Sequence, residues 1–260
     1  MNKVIITTAG RPDCVTESLA RSAQIALGYD WIPRKKRSVK QLMDSYACDV
    51  LVAGKQRYEL YRYGAVEPFF FHPDTSAFRL KRLMKGESDP LIEVCQLAQG
   101  DSFLDCTLGL ATDSIVASYA VGATGHVQGV EVDRDVAFIT AKGLQQFEPK
   151  FDELKESMRG ISVVQNSAAS FLSTLPDNSF DVVYVDPMFT QVIKESTSFA
   201  PLRTAGVSGG LTIEWVEEAK RVATNRVVVK AHFSDSVFEQ FGFTRIIRPN
   251  TKFHFGFIQK

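Results

Sequence analysis

The chain has 260 residues, of which 45% are hydrophobic and 23% charged, and its 30 Lys and Arg balance its 30 Asp and Glu. These proportions are typical of a globular protein, and this length suits one α/β domain with a small extra unit. The sequence has no run of about 18 apolar residues and too short an apolar start for a signal peptide, which predicts no membrane span and no secretion. The four cysteines lack metal-ligand spacing, so we expect no metal site and a reducing, cytoplasmic location.

The balanced net charge conceals an asymmetry along the chain. Residues 1–90 hold 15 Lys and Arg against 10 Asp and Glu, whereas residues 91–260 hold 15 against 20. A basic front half is compatible with a nucleic-acid contact surface, although a solvated face would have the same composition. The run Arg34–Arg37 is the candidate phosphate-binding patch, and in that interpretation three aromatic residues interleave with it: Tyr58, Tyr61 and Tyr63.

Residues 1–75 are predicted to form a small N-terminal α/β unit that docks the substrate. Gly28 would end its first helix, and Ser38 would cap its second. The predicted elements are strands at Val4–Thr8 and Asp49–Ala53, helices at Asp13–Leu27 and from Ser38 to Tyr46, and strand material at Arg57–Phe71 with a turn at Gly64.

Residues 76–260 are predicted to form the catalytic domain. After a helical region at Ser76–Gln99, interrupted around residues 86–90, strands and helices alternate regularly. The predicted strands are Ser102–Asp105, His126–Glu131, Ile161–Val164, Phe180–Val185, Arg226–Val229, Thr244–Ile247 and Phe253–Ile258, with helices near 112–121, 134–147, 168–174 and 210–223. Such alternation implies right-handed crossovers. The fold class is therefore α/β, a doubly wound, mostly parallel, Rossmann-like sheet of seven strands.

The first strand–turn–helix unit of this domain contains the candidate cofactor turn. Where a dinucleotide-binding turn has three glycines, the chain has Gly109, Ala111 and Ser114. Asp105 and Asp113 add negative charge where a pyrophosphate would lie, which disfavours NAD. The same charges suit S-adenosylmethionine, which carries an ammonium group and a sulfonium.

The next two strands also end in polar residues. Glu131 first, and Asp133 second, are candidates to accept hydrogen bonds from ribose hydroxyls. Ser167 follows the third strand, where polar side chains could meet the adenine amine.

The sequence Asp-Pro-Met-Phe at residues 186–189 directly follows the buried strand Phe180–Val185. An exocyclic amine of a nucleobase is a poor nucleophile because its lone pair is delocalised into the ring. The Asp186 side chain and the Pro187 carbonyl are expected to accept the two amine hydrogens, and Phe189 is expected to stack on the base. Pro187 also stiffens the loop by fixing φ. The target base would have to be unpaired or flipped out.

These motifs resemble the bacterial 16S ribosomal RNA (guanine-N2) methyltransferases and their uncharacterised relatives, a class I S-adenosylmethionine-dependent family. The resemblance covers residues 76–260. That family has an Asp-x-Thr-x-Gly-Leu-Gly-x-Asp turn, Asp-Pro-Met-Phe after the fourth strand, and a fifth strand Arg-Val-Val-Val-Lys, all matched here except that Ala111 replaces the second glycine. Thr190 replaces a proline that usually follows the aromatic residue, and the first 75 residues match poorly.

The resemblance implies methyl transfer from S-adenosylmethionine to guanine N2 in ribosomal RNA. The implied cofactor-binding residues are Asp105, Thr107, Gly109, Leu110, Asp113, Glu131, Asp133, Ser167 and Asp186. The implied catalytic residues are Asp186, Pro187 and Phe189, and the substrate-binding residues are Met188, Phe189, Lys230, Arg79 and Arg82. Residues 190–206, with glycines close behind, are typical of a lid over the site.

Two alternatives remain open from the sequence. One keeps the loop and changes the acceptor to adenine, DNA or a glutamine side chain of a protein. The other is a non-catalytic protein that binds RNA or the cofactor on this fold, which an intact loop at residues 186–189 argues against.

Overall fold

The computed structural model describes residues 3–187 and 211–260 of the chain, and these residues form two compact units. Among the described residues, 3–72 and 134–147 belong to the first unit. Residues 73–133, 148–187 and 211–260 belong to the second. The first unit therefore combines the N-terminal segment with a helix from the middle of the chain.

The first unit contains a four-stranded sheet in the order β2-β1-β3-β4, in which only β4 is antiparallel to its neighbour. Its core packs apolar side chains of β1, β3 and the second helix. The elements are β1 Val4–Thr8, α1 Cys14–Leu27, β2 Asp30–Trp31, α2 Val39–Tyr46, β3 Asp49–Ala53, β4 Tyr58–Tyr61 and α6 Arg134–Gln146.

The predicted helix boundaries of the first unit are confirmed by their caps. The Asp13 side chain accepts a hydrogen bond from the Thr16 N–H at the start of α1, and Gly28 ends that helix with φ +69°. The Ser38 side chain accepts from the Gln41 N–H at the start of α2. The starts of both helices and the end of α1 therefore follow from local sequence.

The second unit contains a seven-stranded sheet in the order β10-β11-β9-β8-β5-β6-β7. Strands β5 to β9 are mutually parallel, and β11 is antiparallel to β9 and β10. The elements are α3 Asp74–Leu83, α4 Pro90–Cys95, β5 Ser102–Asp105, α5 Thr112–Val121, β6 His126–Glu131, α7 Asp152–Arg159, β7 Ile161–Gln165, α8 Ala168–Leu172, β8 Phe180–Val185, α9 Ile213–Val222, β9 Ala223–His232, α10 Val237–Gln240, β10 Thr244–Ile246 and β11 Phe253–Gln259.

Both faces of this sheet are covered, as a doubly wound fold requires. The period of two along a strand sends Leu104 and Val183 into a core shared with α9. Phe103 and Tyr184 stack on the opposite face with ring centroids 5.5 Å apart, on the side of α5. The predicted fold class, with its Rossmann-like seven-stranded sheet and small additional α/β unit, is confirmed.

Three local elements differ from the prediction, and two of the differences have physical reasons. Strand β4 ends at Tyr61 because the turn at Gly64 and then Pro68 interrupt the ladder, leaving a single bridge to Phe69. Helix α7 was not predicted because its sequence is short and highly charged. Strand β9 extends well beyond the predicted Arg226–Val229. No helix in the described part of the chain is long and apolar enough to cross a membrane.

Candidate active site

The order of the seven strands places β5 and β8 side by side in the middle of the sheet. From β5 the chain adds β6 and β7 on one side, and it then crosses over to add β8 and β9 on the other, so the strand order reverses between β5 and β8. In open α/β sheets, ligands bind outside the carboxyl ends of strands at this switch point. Asp105 ends β5, and Asp186 follows β8. The Asp186 N–H donates to the Thr107 hydroxyl at 2.8 Å, which ties the loop after β8 to the turn after β5.

Asp105 anchors the turn that follows β5. One carboxylate oxygen accepts from the Thr107 N–H at 2.9 Å, and the other accepts from the Ser114 hydroxyl at 2.6 Å. The side chain is almost fully buried, with 2% exposure. Burial raises the pKa of Asp105 to about 7, although the bonds from Ser114 and Thr107 oppose that shift. A cation bound beside this carboxyl would favour its ionised form.

The same turn uses two left-handed residues to enter α5. Gly109 has φ +50°, and Ala111 has φ +59°. An L-residue with a side chain pays a steric penalty in this region, which glycine does not. The positive φ at position 111 explains why the family that this turn resembles has glycine there. Ala111 adopts the same left-handed conformation under strain. Leu110 lies between them and is buried.

Glu131 connects the turn to the end of β6. Its carboxylate accepts from the Gly109 N–H at 3.0 Å and from the Asp133 N–H at 2.9 Å. Burial raises the pKa of Glu131, while these backbone donors oppose the shift. Ser167 caps α8 by accepting from the Ser170 N–H, one strand farther along the same edge. The residues predicted to bind the cofactor therefore lie along one edge of the sheet.

Lys230, near the end of β9, lies between two carboxylates. Its Nζ donates to Asp186 Oδ2 at 2.7 Å and to Asp113 Oδ2 at 3.0 Å. Val185 pairs with Val229, so the following residues of β8 and β9 lie side by side. The sequence predicted that the Lys230 ammonium group contacts the substrate. In the structure this group is paired with the Asp186 carboxylate.

Asp113 extends this network into the interior. Its second oxygen accepts from Arg79 Nη1 at 2.5 Å, and Oδ2 also accepts from the Tyr184 hydroxyl at 2.8 Å. Arg79 makes a bidentate pair with Asp89 at 2.7 and 2.8 Å. Tyr184 and Asp89 were not singled out from the sequence. The one available signal was that Tyr184 precedes Asp186 by two residues and so shares its strand face.

The charges of this network shift each other's protonation. Burial would raise the pKa of Asp113, but Lys230 and Arg79 outweigh it and hold that pKa below its usual range. Burial would lower the pKa of Lys230, but Asp113 and Asp186 raise it above its usual value. Burial raises the pKa of Asp186, with Lys230 opposing and Asp113 adding to the shift.

The remaining predicted residues lie apart from this network or outside the described chain. Arg82 is half-exposed on α3, where its Nε donates to Glu87 at 2.7 Å. Pro187 is the last described residue of the loop after β8. Met188, Phe189 and the predicted lid at residues 190–206 lie outside the described residues.

The donor set fits a cationic nucleoside cofactor. The network pairs three carboxylates with only two cationic groups, those of Arg79 and Lys230. The carboxylates belong to Asp89, Asp113 and Asp186. Asp105 and Glu131 add two more acidic groups along the same edge of the sheet. An ammonium group and a sulfonium are favoured there, and a pyrophosphate is not. Within residues 3–187 and 211–260, no cluster of three or more His, Cys, Asp or Glu side chains could hold a metal ion.

Comparison with known proteins identifies the family of this chain. Residues 41–242 match the model of the family described as "Putative SAM-dependent methyltransferase". The chain belongs to this family, its cofactor is S-adenosylmethionine, and it is a class I methyltransferase related to ribosomal RNA small subunit methyltransferase J.

Individual relatives give the extent of the similarity. "Uncharacterized protein YpiP" of Bacillus subtilis is 43% identical over 256 residues, covering 98% of this chain and 99% of that protein. Ribosomal RNA small subunit methyltransferase J of Acinetobacter baumannii is 32% identical over 115 residues, covering 44% of this chain and 39% of that enzyme. The structure of the SAM-dependent methyltransferase NGO1261 from Neisseria gonorrhoeae has a TM-score of 0.62 at 17% identity, covering 99% of this chain and 96% of that one. This last likeness concerns the fold.

Proposed function

We propose that this enzyme transfers a methyl group from S-adenosylmethionine to an exocyclic amine of a nucleobase in RNA, with guanine N2 of ribosomal RNA as the first target. The observation that carries the proposal is the Asp186 carboxylate, which Lys230 fixes at the switch point of the sheet beside the turn at Asp105. The similarity of part of the chain to ribosomal RNA small subunit methyltransferase J supports an RNA acceptor in the cytoplasm.

In this proposal the bound cofactor is held by the edge described above. Glu131 would accept from the ribose hydroxyls with the lone pairs that the Gly109 and Asp133 N–H groups leave available, and Ser167 would contact the adenine. Asp105 would offset most of the positive charge of the amino acid end and the sulfonium, and Asp186 would contribute less because its carboxylate is already paired with Lys230. The cofactor supplies an electrophilic methyl group for in-line attack, and holding both reactants together can supply about 7–11 kcal/mol of the barrier.

The chain's own groups prepare the acceptor amine. The Asp186 carboxylate and the Pro187 carbonyl accept its two hydrogens, which localises the nitrogen lone pair. As the new N–C bond forms and the S–C bond breaks, the nitrogen becomes positive and must lose one proton. Asp186 is suited to receive that proton because burial and Asp113 raise its pKa. Met188 and Phe189 would hold the base from the same loop.

The arginines of α3 have different surroundings, so we propose different roles. Arg79 has both ends of its guanidinium paired with Asp89 and Asp113, and it would support the site by holding Asp113 in place. Arg82 is half-exposed and would contact the substrate backbone.

We also propose that the N-terminal segment docks RNA. Arg34 donates to the carbonyls of Arg37 and of Thr8 in β1, and Arg37 donates to the Pro33 carbonyl. Lys35 and Lys36, in contrast, are exposed with φ +46° and +61°. Reversing both lysines to glutamate should weaken RNA binding and flatten its salt dependence, because fewer counterions would be released. Binding with unchanged affinity and salt slope would refute this role.

The experiment that tests the main proposal uses radiolabelled S-adenosylmethionine with total RNA, ribosomal subunits and DNA from a strain lacking the gene. The modified nucleoside is then identified by digestion and chromatography. Label in N2-methylguanosine of small-subunit RNA is the expected result. Label in adenine, DNA or protein would replace the acceptor, and no label with intact cofactor binding would overturn methyl transfer altogether.

A further inference from the structure

A cluster of aromatic residues lies beside the Asp186 loop and has no part in the cofactor site. Strand β9 continues past Lys230 to His232, which is in register with Phe253 at the start of β11. Phe233 follows directly. Because β9 is parallel to β8, this end of β9 is on the same edge of the sheet as Asp186. The cluster is therefore on the side of the sheet where the acceptor base must approach.

The four rings of the cluster are linked in pairs, and Phe233 and Phe253 are exposed to solvent whereas His254 is buried. The centroids of His232 and Phe233 are 4.5 Å apart, and those of His232 and Phe253 are 6.1 Å apart at right angles. Phe233 is 49% exposed and Phe253 is 38% exposed. His254, 6.3 Å from the Phe233 ring, completes the cluster. Exposed neighbouring large rings mark a binding surface more often than isolated exposed residues do.

One lysine side chain connects this cluster to the reaction loop. Lys230 Nζ lies 6.0 Å from the centroid of the Phe253 ring and 2.7 Å from Asp186 Oδ2. A nucleotide stacked on Phe253 would consequently be close to a base held at Asp186. This spacing suits neighbouring nucleotides of one strand.

The local charge also suits a polyanion. Residues 240–260 contain no Asp or Glu, although residues 91–260 as a whole are acidic. Arg245 is fixed against the cluster, because its guanidinium donates to His254 Nδ1 at 3.0 Å and to the Phe233 carbonyl. Arg248 and Lys252 lie in the connection between β10 and β11 that leads to Phe253. Two acidic residues lie nearby: Glu239, 3.7 Å from Arg245, and Asp235, two residues after Phe233.

We propose that this aromatic–basic surface binds the unpaired RNA strand next to the target nucleotide, and this rests on the proposed function. Phe233 and Phe253 stack on flanking bases, and Arg245, Arg248 and Lys252 contact the phosphates. Every base has a flat face, so stacking holds a single strand with little sequence preference, and cations add salt-dependent affinity. A duplex would keep its bases stacked on each other and could not use the rings. An unpaired strand is therefore the occupant that fits both the rings and the charge.

The test measures binding separately from methyl transfer. Fluorescein-labelled single-stranded RNA of about 12 nucleotides and its duplex are titrated by anisotropy against the wild-type chain, Phe233→Ala, Phe253→Ala and Phe253→Trp. Each alanine variant should weaken single-strand binding about tenfold, from the loss of one stacked base, and Phe253→Trp should restore it. Duplex binding should change less than twofold. Ile25→Ala, which removes another exposed apolar side chain on α1, is the matched control.

The variants are also assayed for methyl transfer to RNA, with thermal melting to check the fold. The expected pattern is a raised KM for RNA with nearly unchanged kcat and melting temperature. Unchanged affinity and KM in both alanine variants would overturn the surface while leaving methyl transfer intact. A wild-type chain that binds the single strand through these rings but labels no nucleoside would instead overturn the proposed function. Equal losses for single strand and duplex would also refute stacking.

Discussion

Replacing Lys230 by methionine removes the cation that separates two carboxylates of the candidate site. Lys230 Nζ contacts Asp113 and Asp186 at 3.0 and 2.7 Å. Removing one partner of a fully buried ion pair costs about 3–5 kcal/mol, because the other charge is left uncompensated. Asp113 keeps Arg79 and Tyr184, and the Asp186 side chain is 31% exposed, so we expect a smaller loss of about 2 kcal/mol.

The assay is equilibrium unfolding in urea, with thermal melting as a second readout. A loss of about 2 kcal/mol corresponds to a decrease in Tm of roughly 4–8 °C for a chain of this size. The control is Lys220→Met on α9, which breaks an exposed pair with Glu217 and should cost less than about 0.5 kcal/mol. Adding Asp113→Asn to Lys230→Met should restore part of the loss, because it removes the opposing negative charge.

The loss of stability in Lys230→Met should depend on pH. Without Lys230, the folded-state pKa of Asp186 rises further above its unfolded value, so the folded state takes up a proton as the pH falls. The destabilisation should therefore be largest near pH 8 and shrink toward pH 5. A Lys230→Met variant as stable as Lys220→Met, or a loss of stability that grows as the pH falls, would refute this reasoning.

Three further predictions concern the cofactor turn. Ala111→Gly should stabilise the chain by about 0.5–1 kcal/mol in urea, because it relieves a left-handed residue, whereas Ala141→Gly within α6 should destabilise it. Gly129→Ala should cost about 1–3 kcal/mol and weaken cofactor binding in calorimetry, because the new methyl would lie 2.2 Å from Leu108 Cδ1. S-adenosylmethionine should bind about fivefold more tightly at pH 7 than at pH 6, because ionised Asp105 favours the cation.

Each of these expectations has a contrary outcome. Equal destabilisation by Ala111→Gly and Ala141→Gly would mean that the turn is not strained. Gly10→Ala is the control for Gly129→Ala, because no atom lies within 4 Å of a Cβ added at Gly10. If both alanine substitutions had equal effects, the clash with Leu108 would not be the cause. Cofactor affinity in Asp105→Asn should lose its dependence on pH in this range. An Asp105→Asn variant with the wild-type pH profile would assign the titration to another group.

The sequence predicted the elements whose pattern is local. Runs such as Phe180–Val185 are rich in β-branched and aromatic residues and are buried on both faces, so they predict parallel strands. The acidic residues after those strands could be expected at one edge, because parallel strands end together. Helix α7 was not predicted because its many charged residues leave only a narrow apolar stripe, and no apolar run marks it in the sequence.

The partners within the site depended on the tertiary fold. Lys230 and Asp113 are 117 residues apart, and Tyr184 and Asp113 are 71 apart. Lys230 and Asp113 each lie in a motif that the sequence shows. No spacing rule, however, joins a lysine near the end of one strand to a carboxylate at the start of a helix two strands away. The aromatic cluster at Phe233 and Phe253 was not predicted for the same reason, because only the register of β9 and β11 brings its members together.

The most direct test of the account is methyl transfer by Asp186→Ala and Asp186→Asn, with cofactor affinity measured on the same preparations. If Asp186 accepts the hydrogens and the proton of the acceptor amine, both variants should lose about 10²–10⁴-fold in single-turnover rate. Binding of S-adenosylmethionine should stay within a few-fold of wild type. Turnover that survives in Asp186→Asn, or cofactor binding that is lost together with turnover, would contradict the central role given to this carboxylate.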